Sequence, residues 1–134
     1  EFPDLEIIIN GGITTNEEIA AHLKHVDGVM VGREAYHNPM VMRDWDALFY
    51  GSSHAPITEA DLVARLYDYA LSQINAGRGT TVRHIARHYL GLMHGLKSAR
   101  SWRRMLSDAA LLKPNRPELI LEAWAQVAAA NGFE

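Results

Sequence analysis

Four glycine-turn residues and one arginine carry the clearest chemical signal in this 134-residue chain. Gly11 and Gly12 follow Asn10 at the end of Ile7-Ile8-Ile9, and Gly32 with Arg33 ends Gly28-Val29-Met30-Val31. Glycine lets a backbone approach an anion closely and leaves its N–H groups pointing outward. A fixed guanidinium beside such a turn suits a phosphate. As an alternative, Gly11, Gly12 and Gly32 serve only to turn the chain.

The elements that must position these residues follow from the same stretch. Each β-branched run stopping at glycine reads as a short strand buried on both faces. Between them Thr15 caps a helix, with Glu18 three residues on as its capping-box partner. Ile19, Ala20, Leu23 and Val26 fall at helical spacing. Strand, helix and strand make a βαβ unit with parallel strands, so both glycine turns open at one edge. In a (β/α)8 barrel that edge holds the phosphate site made by the loops after the last two strands. Asn38 as cap and Pro39 at the first helical position then predict a helix running to about Phe49.

A second constellation is electrostatic. The net charge is −3, yet from Tyr69 to Ser107 there is no Asp or Glu among Arg78, Arg83, Arg87, Lys97, Arg100, Arg103 and Arg104. An acidic body with one basic flank suggests a polyanionic partner for Arg83, Arg87, Arg100, Arg103 and Arg104. The alternative is an ordinary solvated face. His84 and His88 stand at i and i+4, but no carboxylate nearby in sequence completes a metal set, so no metal is expected. With no cysteine, thiolate metal sites, disulfides and a cysteine nucleophile are absent from the chain. No run of 18 or more apolar residues marks a membrane span, and a cytoplasmic location is the default expectation.

Tyr50 to Pro56 is the expected linker, and past it four helices are predicted. The first starts at Thr58, with Leu62, Leu66, Tyr69, Ala70 and Ile74 inward and Gly77 as its stop. The second starts at Thr80 or Thr81, with the stripe Val82, Ile85, Ala86, Tyr89 and Met93. A third spans about Ser98 to Leu111, burying Trp102, Leu106 and Ala109. The fourth runs from Glu118 to Asn131, with Ile120, Ala123, Trp124 and Val127 inward. Helices of this kind with short connections are expected to pack as an antiparallel bundle. Glu1 is no initiator methionine and two parallel strands cannot bury both faces, so the chain is expected to be a carboxyl-terminal fragment. Its exposed strands would be prone to self-association.

Asn10-Gly11-Gly12-Ile13 and the run from His25 to Pro39, His25-Val26-Asp27-Gly28-Val29-Met30-Val31-Gly32-Arg33-Glu34-Ala35-Tyr36-His37-Asn38-Pro39, closely resemble the end of the catalytic barrel of tRNA-dihydrouridine synthases of the A subfamily. Arg83-His84-Ile85, Leu90-Gly91-Leu92 and Ala99-Arg100-Ser101-Trp102-Arg103-Arg104 resemble that subfamily's helical tRNA-binding domain. The resemblance implies an α/β part followed by an all-α part. Residues 1–50 would be the last two βα units of a TIM (β/α)8 barrel, and 57–134 a four-helix tRNA-binding bundle. It implies FMN as cofactor, its phosphate on Asn10, Gly11, Gly12, Gly32 and Arg33, and NADPH as reductant of D-loop uridines at position 20/20a. The family's protonating cysteine and flavin-ring contacts belong to earlier strands, so no catalytic residue is expected here and the fragment alone should be inert. Another phosphate-binding FMN barrel explains the glycine turns but not the basic helices. A non-catalytic helical RNA-binding module explains the helices alone.

Overall fold

The computed structural model describes residues 2–133. The chain forms two compact units, one ending at Pro56 and the other beginning at Ile57.

In the first unit, β1 (Ile8–Asn10) and β2 (Gly28–Met30) form a two-stranded parallel sheet with Ile8 opposite Gly28, Ile9 opposite Val29 and Asn10 opposite Met30. Gly28 suits that register because a Cβ there would stand 3.2 Å from the Ile8 side chain. Asp27 pins the entry to β1, its carboxylate accepting the Ile7 N–H at 2.8 Å. The connecting helix α1 (Asn16–Leu23) is capped by Thr15, whose Oγ1 accepts the Glu18 N–H at 3.1 Å. The Glu18 carboxylate reaches back one residue further than a standard capping box, accepting the Thr14 N–H at 3.1 Å. The expected burial of the strands on both faces is not found: Ile7 is 49% exposed and Ile8 60%. A two-stranded sheet has too few helices to cover it, and among the described residues of this unit only Ile13 and Ile19 are buried.

A short helix α2 (Arg33–His37) precedes Asn38, and the helix expected from Asn38 to Phe49 is instead two pieces, a 3₁₀ turn (Pro39–Met42) and α3 (Trp45–Tyr50). Asn38 precedes a proline, which disfavours the helical conformation, and it sits at φ −137°, ψ 68° with no capping hydrogen bond. Trp45 ties α3 to α1, its indole N–H donating to Asn16 Oδ1 at 2.7 Å.

The second unit is wholly helical among its described residues. It contains α4 (Glu59–Asn75), α5 (Val82–Ala86), α6 (Ala99–Met105), α7 (Ala109–Leu112) and α8 (Glu118–Asn131). Helix α8 packs on α4 and α6, and α4 also meets α5. The core is Val63, Ala70, Val82, Ala86, Met93, Trp102, Leu106, Ile120, Ala123 and Val127, each at most 1% exposed. Trp102 also donates its indole N–H to the Tyr89 carbonyl at 2.8 Å inside that core. Thr58 caps α4 as expected, accepting the Asp61 N–H at 3.2 Å.

Four sequence expectations change here. Val63 is buried in place of Tyr69, which is 54% exposed. The second predicted helix stops at Ala86 and continues as turns closed by i→i−3 hydrogen bonds, from Leu92 to Tyr89 and from Leu96 to Met93. Turns of three-residue spacing keep Tyr89, Leu92 and Met93 inward, so the apolar stripe looks helical without being so. The third predicted helix breaks because Asp108 starts a new one, its Oδ1 accepting the N–H groups of Ala110 and Leu111. Ala109 is therefore exposed, and Leu112 occupies the core instead. Trp124 is half-buried, its ring stacked on Phe133 at 5.9 Å between centroids. Asn131 has a further role as a clamp. Its amide donates to the Lys97 and Val127 carbonyls, and its Oδ1 accepts the Lys97 N–H.

Candidate functional site

The two glycine turns open onto one cleft of ≈ 560 Å³, lined by Asn10, Gly11, Gly12, Arg33 and Gly32 together with Ile13, Thr14, Met30, Glu34 and His37. Gly11 lies at φ 119° and Gly12 at φ 67°, conformations that L side chains rarely adopt. A Cβ on either would meet nothing within 4 Å. Crowding within the chain therefore does not explain these glycines; backbone conformation does, and the space above them is free for a ligand. Gly32 differs. Its φ is −106°, and a Cβ there would make only ordinary contact with Met30 at 3.8 Å.

Arg33 is exposed and makes no hydrogen bond or ion pair among the described residues, so its charge is available to the cleft. Glu34 also lines the cleft, and its Oε1 accepts a hydrogen bond from the Asn38 amide at 3.3 Å. His37 lines the same wall, edge-on to Tyr36 with ring centroids 5.5 Å apart. Glu34 and His37 were missed from the sequence because the helix was started at Asn38. Once α2 begins at Arg33, they fall at i+1 and i+4 on its cleft-facing side. The donor set fits a phosphate: open backbone at two left-handed glycines, an asparagine and one free guanidinium.

Arg83, Arg87, Arg100, Arg103 and Arg104 of the basic flank are all exposed. Ala99 and Trp102 face inward on α6, which leaves Arg100, Arg103 and Arg104 on its outer side. Arg83 lies on α5, and Arg87 is the residue that ends it, with its Nε donating to His88 Nε2 at 3.2 Å. His84 has a structural use, its Nδ1 accepting the Thr81 N–H in a capping box. No group of three or more His, Asp or Glu among the described residues is placed to hold a metal. No helix among them is long and apolar enough to cross a membrane.

The family model for dihydrouridine synthase (Dus) matches residues 1–129. The chain is 46% identical over 110 residues to a tRNA-dihydrouridine(20/20a) synthase of Escherichia coli, covering 82% of the chain and 31% of that protein. It is 44% identical over 107 residues to the protein of that name in Pseudomonas putida, covering 80% of the chain and 31% of the relative. The Synechocystis relative of the same name is 42% identical over 123 residues, 92% of the chain and 36% of its own length. The chain thus spans about a third of the length of the curated relatives it matches. A match that runs through both the glycine-turn unit and the helical unit makes this chain a member of the dihydrouridine synthase family.

Proposed function

We propose that this chain supplies the flavin-phosphate seat and the tRNA grip of a flavin-dependent tRNA-dihydrouridine synthase acting on D-loop uridines at positions 20 and 20a, as the names of its relatives suggest. In this reading β1, α1, β2 and α2 are the last two βα units of a TIM barrel, and the helical unit is the bundle that holds the RNA. When bound, FMN supplies the reducing equivalents, drawn from NADPH, that saturate the C5–C6 bond of uracil.

The residues of this chain position rather than react. Gly11 and Gly12 present backbone N–H groups where no side chain intervenes, Asn10 and Gly32 border the seat, and Arg33 balances the phosphate charge. Arg83, Arg87, Arg100, Arg103 and Arg104 contact RNA phosphates, which orient the substrate without reading its sequence. The target uridine must leave its stack to reach the flavin, so tRNA shape supplies the selectivity. The proton for the uracil ring comes from a cysteine in the resemblance, and these 134 residues contain none. The chain by itself is therefore expected to be inactive and to bind FMN weakly.

The observation that carries this reading is the convergence on one open cleft of two left-handed glycines and an arginine whose guanidinium has no partner among the described residues. Flavin titration of a full-length protein carrying this chain tests it, with FMN compared against riboflavin, which lacks the phosphate. Arg33→Ala should weaken FMN by about 1.5–3 kcal/mol, the worth of a hydrogen bond to a charged group, and leave riboflavin unchanged. Equal losses for the two flavins would place Arg33 away from the phosphate.

A further inference from the structure

The helical unit holds a second polar cleft, of ≈ 390 Å³, lined by Thr81, Arg83, Ala109, Leu112, Lys113 and Asn115. It joins two segments far apart in sequence, the start of α5 and the end of α7. The walls are locked together by Asn115, which sits at φ 57° and accepts the Val82 N–H on its Oδ1 at 2.8 Å. Thr81 is also spent internally, exchanging hydrogen bonds with His84 through its N–H and its Oγ1. Leu112 is buried and belongs to the core.

What remains for an incoming group is charge. Arg83 and Lys113 are exposed, and neither side chain has a hydrogen-bond or ion-pair partner among the described residues. No carboxylate of the described residues lines the cleft. Of the acids nearest Lys113 in sequence, Asp108 caps α7 and Glu118 stands in the first turn of α8, while Glu122 takes Arg116, the other cation of that loop, at 2.7 Å. Two like charges in one concavity repel each other and are relieved by an anion between them.

We propose that Arg83 and Lys113 form a paired seat for one phosphodiester of an RNA backbone. The seat rests on the reading of the helical unit as the tRNA grip, and it redraws the boundary of that grip. Arg83 works with Lys113, which lies outside the acid-free window, rather than with its helical neighbour Arg87. The contact is to backbone phosphate, so it adds affinity and register without sequence preference.

The test is filter binding of tRNA by the full chain at several salt concentrations, with Arg83→Ala, Lys113→Ala, the double variant and Arg103→Ala as a reference outside the cleft. Both cleft residues are exposed, so truncation leaves the core intact; circular dichroism checks this, and Lys113→Glu provides a stronger perturbation without loss of volume. Each single truncation should weaken tRNA binding by roughly three- to tenfold, equally for unrelated tRNAs. Because both groups serve one phosphate, the double variant should lose less than the product of the two single losses. Strictly multiplicative losses, or an affinity unmoved by Lys113→Glu, would overturn the seat while Arg103→Ala still weakens binding. Absence of tRNA binding by the wild-type chain at low salt would overturn both the seat and the RNA reading beneath it. A competition arm with inorganic phosphate at constant ionic strength separates a polymer contact from a free-anion site. Loss of tRNA binding at submillimolar phosphate, selective for Arg83 and Lys113, would reassign the cleft to a small anion and overturn the proposal.

Discussion

The two units of this chain differ in how they bury their apolar surface. In the helical unit, side chains spaced three and four apart face neighbouring helices, and Trp102, Ile120, Ala123 and Val127 are fully buried. In the strand-containing unit Phe2, Leu5, Ile7, Ile8, Leu48 and Tyr50 are each 49% exposed or more. The difference is geometric. A helix needs one covered stripe, which a few other helices provide, whereas a parallel sheet presents two apolar faces and two open edges. The helical unit therefore covers more of its apolar surface than the strand unit does. The strand unit has its polar cleft formed while its apolar surface, including the ≈ 250 Å³ pocket among Ile19, Val29, Trp45 and Phe49, is left open.

Tryptophan truncation should separate the units most sharply. Trp102→Ala removes a ring that is 0% exposed and hydrogen-bonded within the core, and should cost about 3–5 kcal/mol in urea unfolding followed by circular dichroism. Trp45→Ala, at a half-buried ring in the strand unit, should cost markedly less. Equal losses would break the contrast. Limited proteolysis extends the same comparison. The first cut should fall near Ser52–His54 and leave the helical unit, and a first cut inside residues 83–111 would show that unit to be the weaker one.

A smaller effect is expected at Tyr89. Its ring is buried in the helical core, and its hydroxyl has no hydrogen-bond partner among the described residues. Burial, with Tyr69 adding to it, pushes the Tyr89 hydroxyl up to about 12 from an ordinary 10.0. The folded state then holds this proton more tightly than the unfolded chain, so stability is full below pH 10 and falls as pH rises towards 12. Tyr89→Phe should remove that alkaline loss and stabilise the unit by about 1 kcal/mol, since an unsatisfied buried hydroxyl disappears. Thermal unfolding at pH 8 and pH 11 checks both. The smallest expected signal is Arg103→Ala, which should lower the log–log salt slope of tRNA binding by about 0.7–0.9 with little change in folding. An unchanged slope would make the outer face of α6 a solvated surface only.

Much of this was legible from residues acting on close neighbours. Thr15 and Thr58 cap the helices they were expected to cap, because a side-chain oxygen reaches an N–H three residues on whatever the surrounding fold. Gly11 and Gly12 adopt the conformations that only glycine enters readily. The order strand, helix, strand also carries its own handedness, so the meeting of Asn10, Gly11, Gly12, Gly32 and Arg33 at one edge could be inferred without coordinates.

Other features depended on competition between local and distant interactions. Whether the stripe ending at Met93 continued as helix or as three-residue turns could not be read from spacing, because both put the same residues inward. Asp108 was free to end one helix or start another, and the burial of Leu112 in place of Ala109 reflects the choice made. Nothing local joins Arg83 to Lys113 or Asn131 to Lys97; those neighbours exist because the core draws together segments about thirty residues apart. By itself the sequence determined caps, glycine turns, the βαβ order and the segregation of charge, all consequences of short-range sterics and composition. Tertiary structure alone decided which apolar side chains were covered and which charges shared a cleft, because those depend on how the whole chain minimises exposed apolar area rather than on any residue's immediate neighbours.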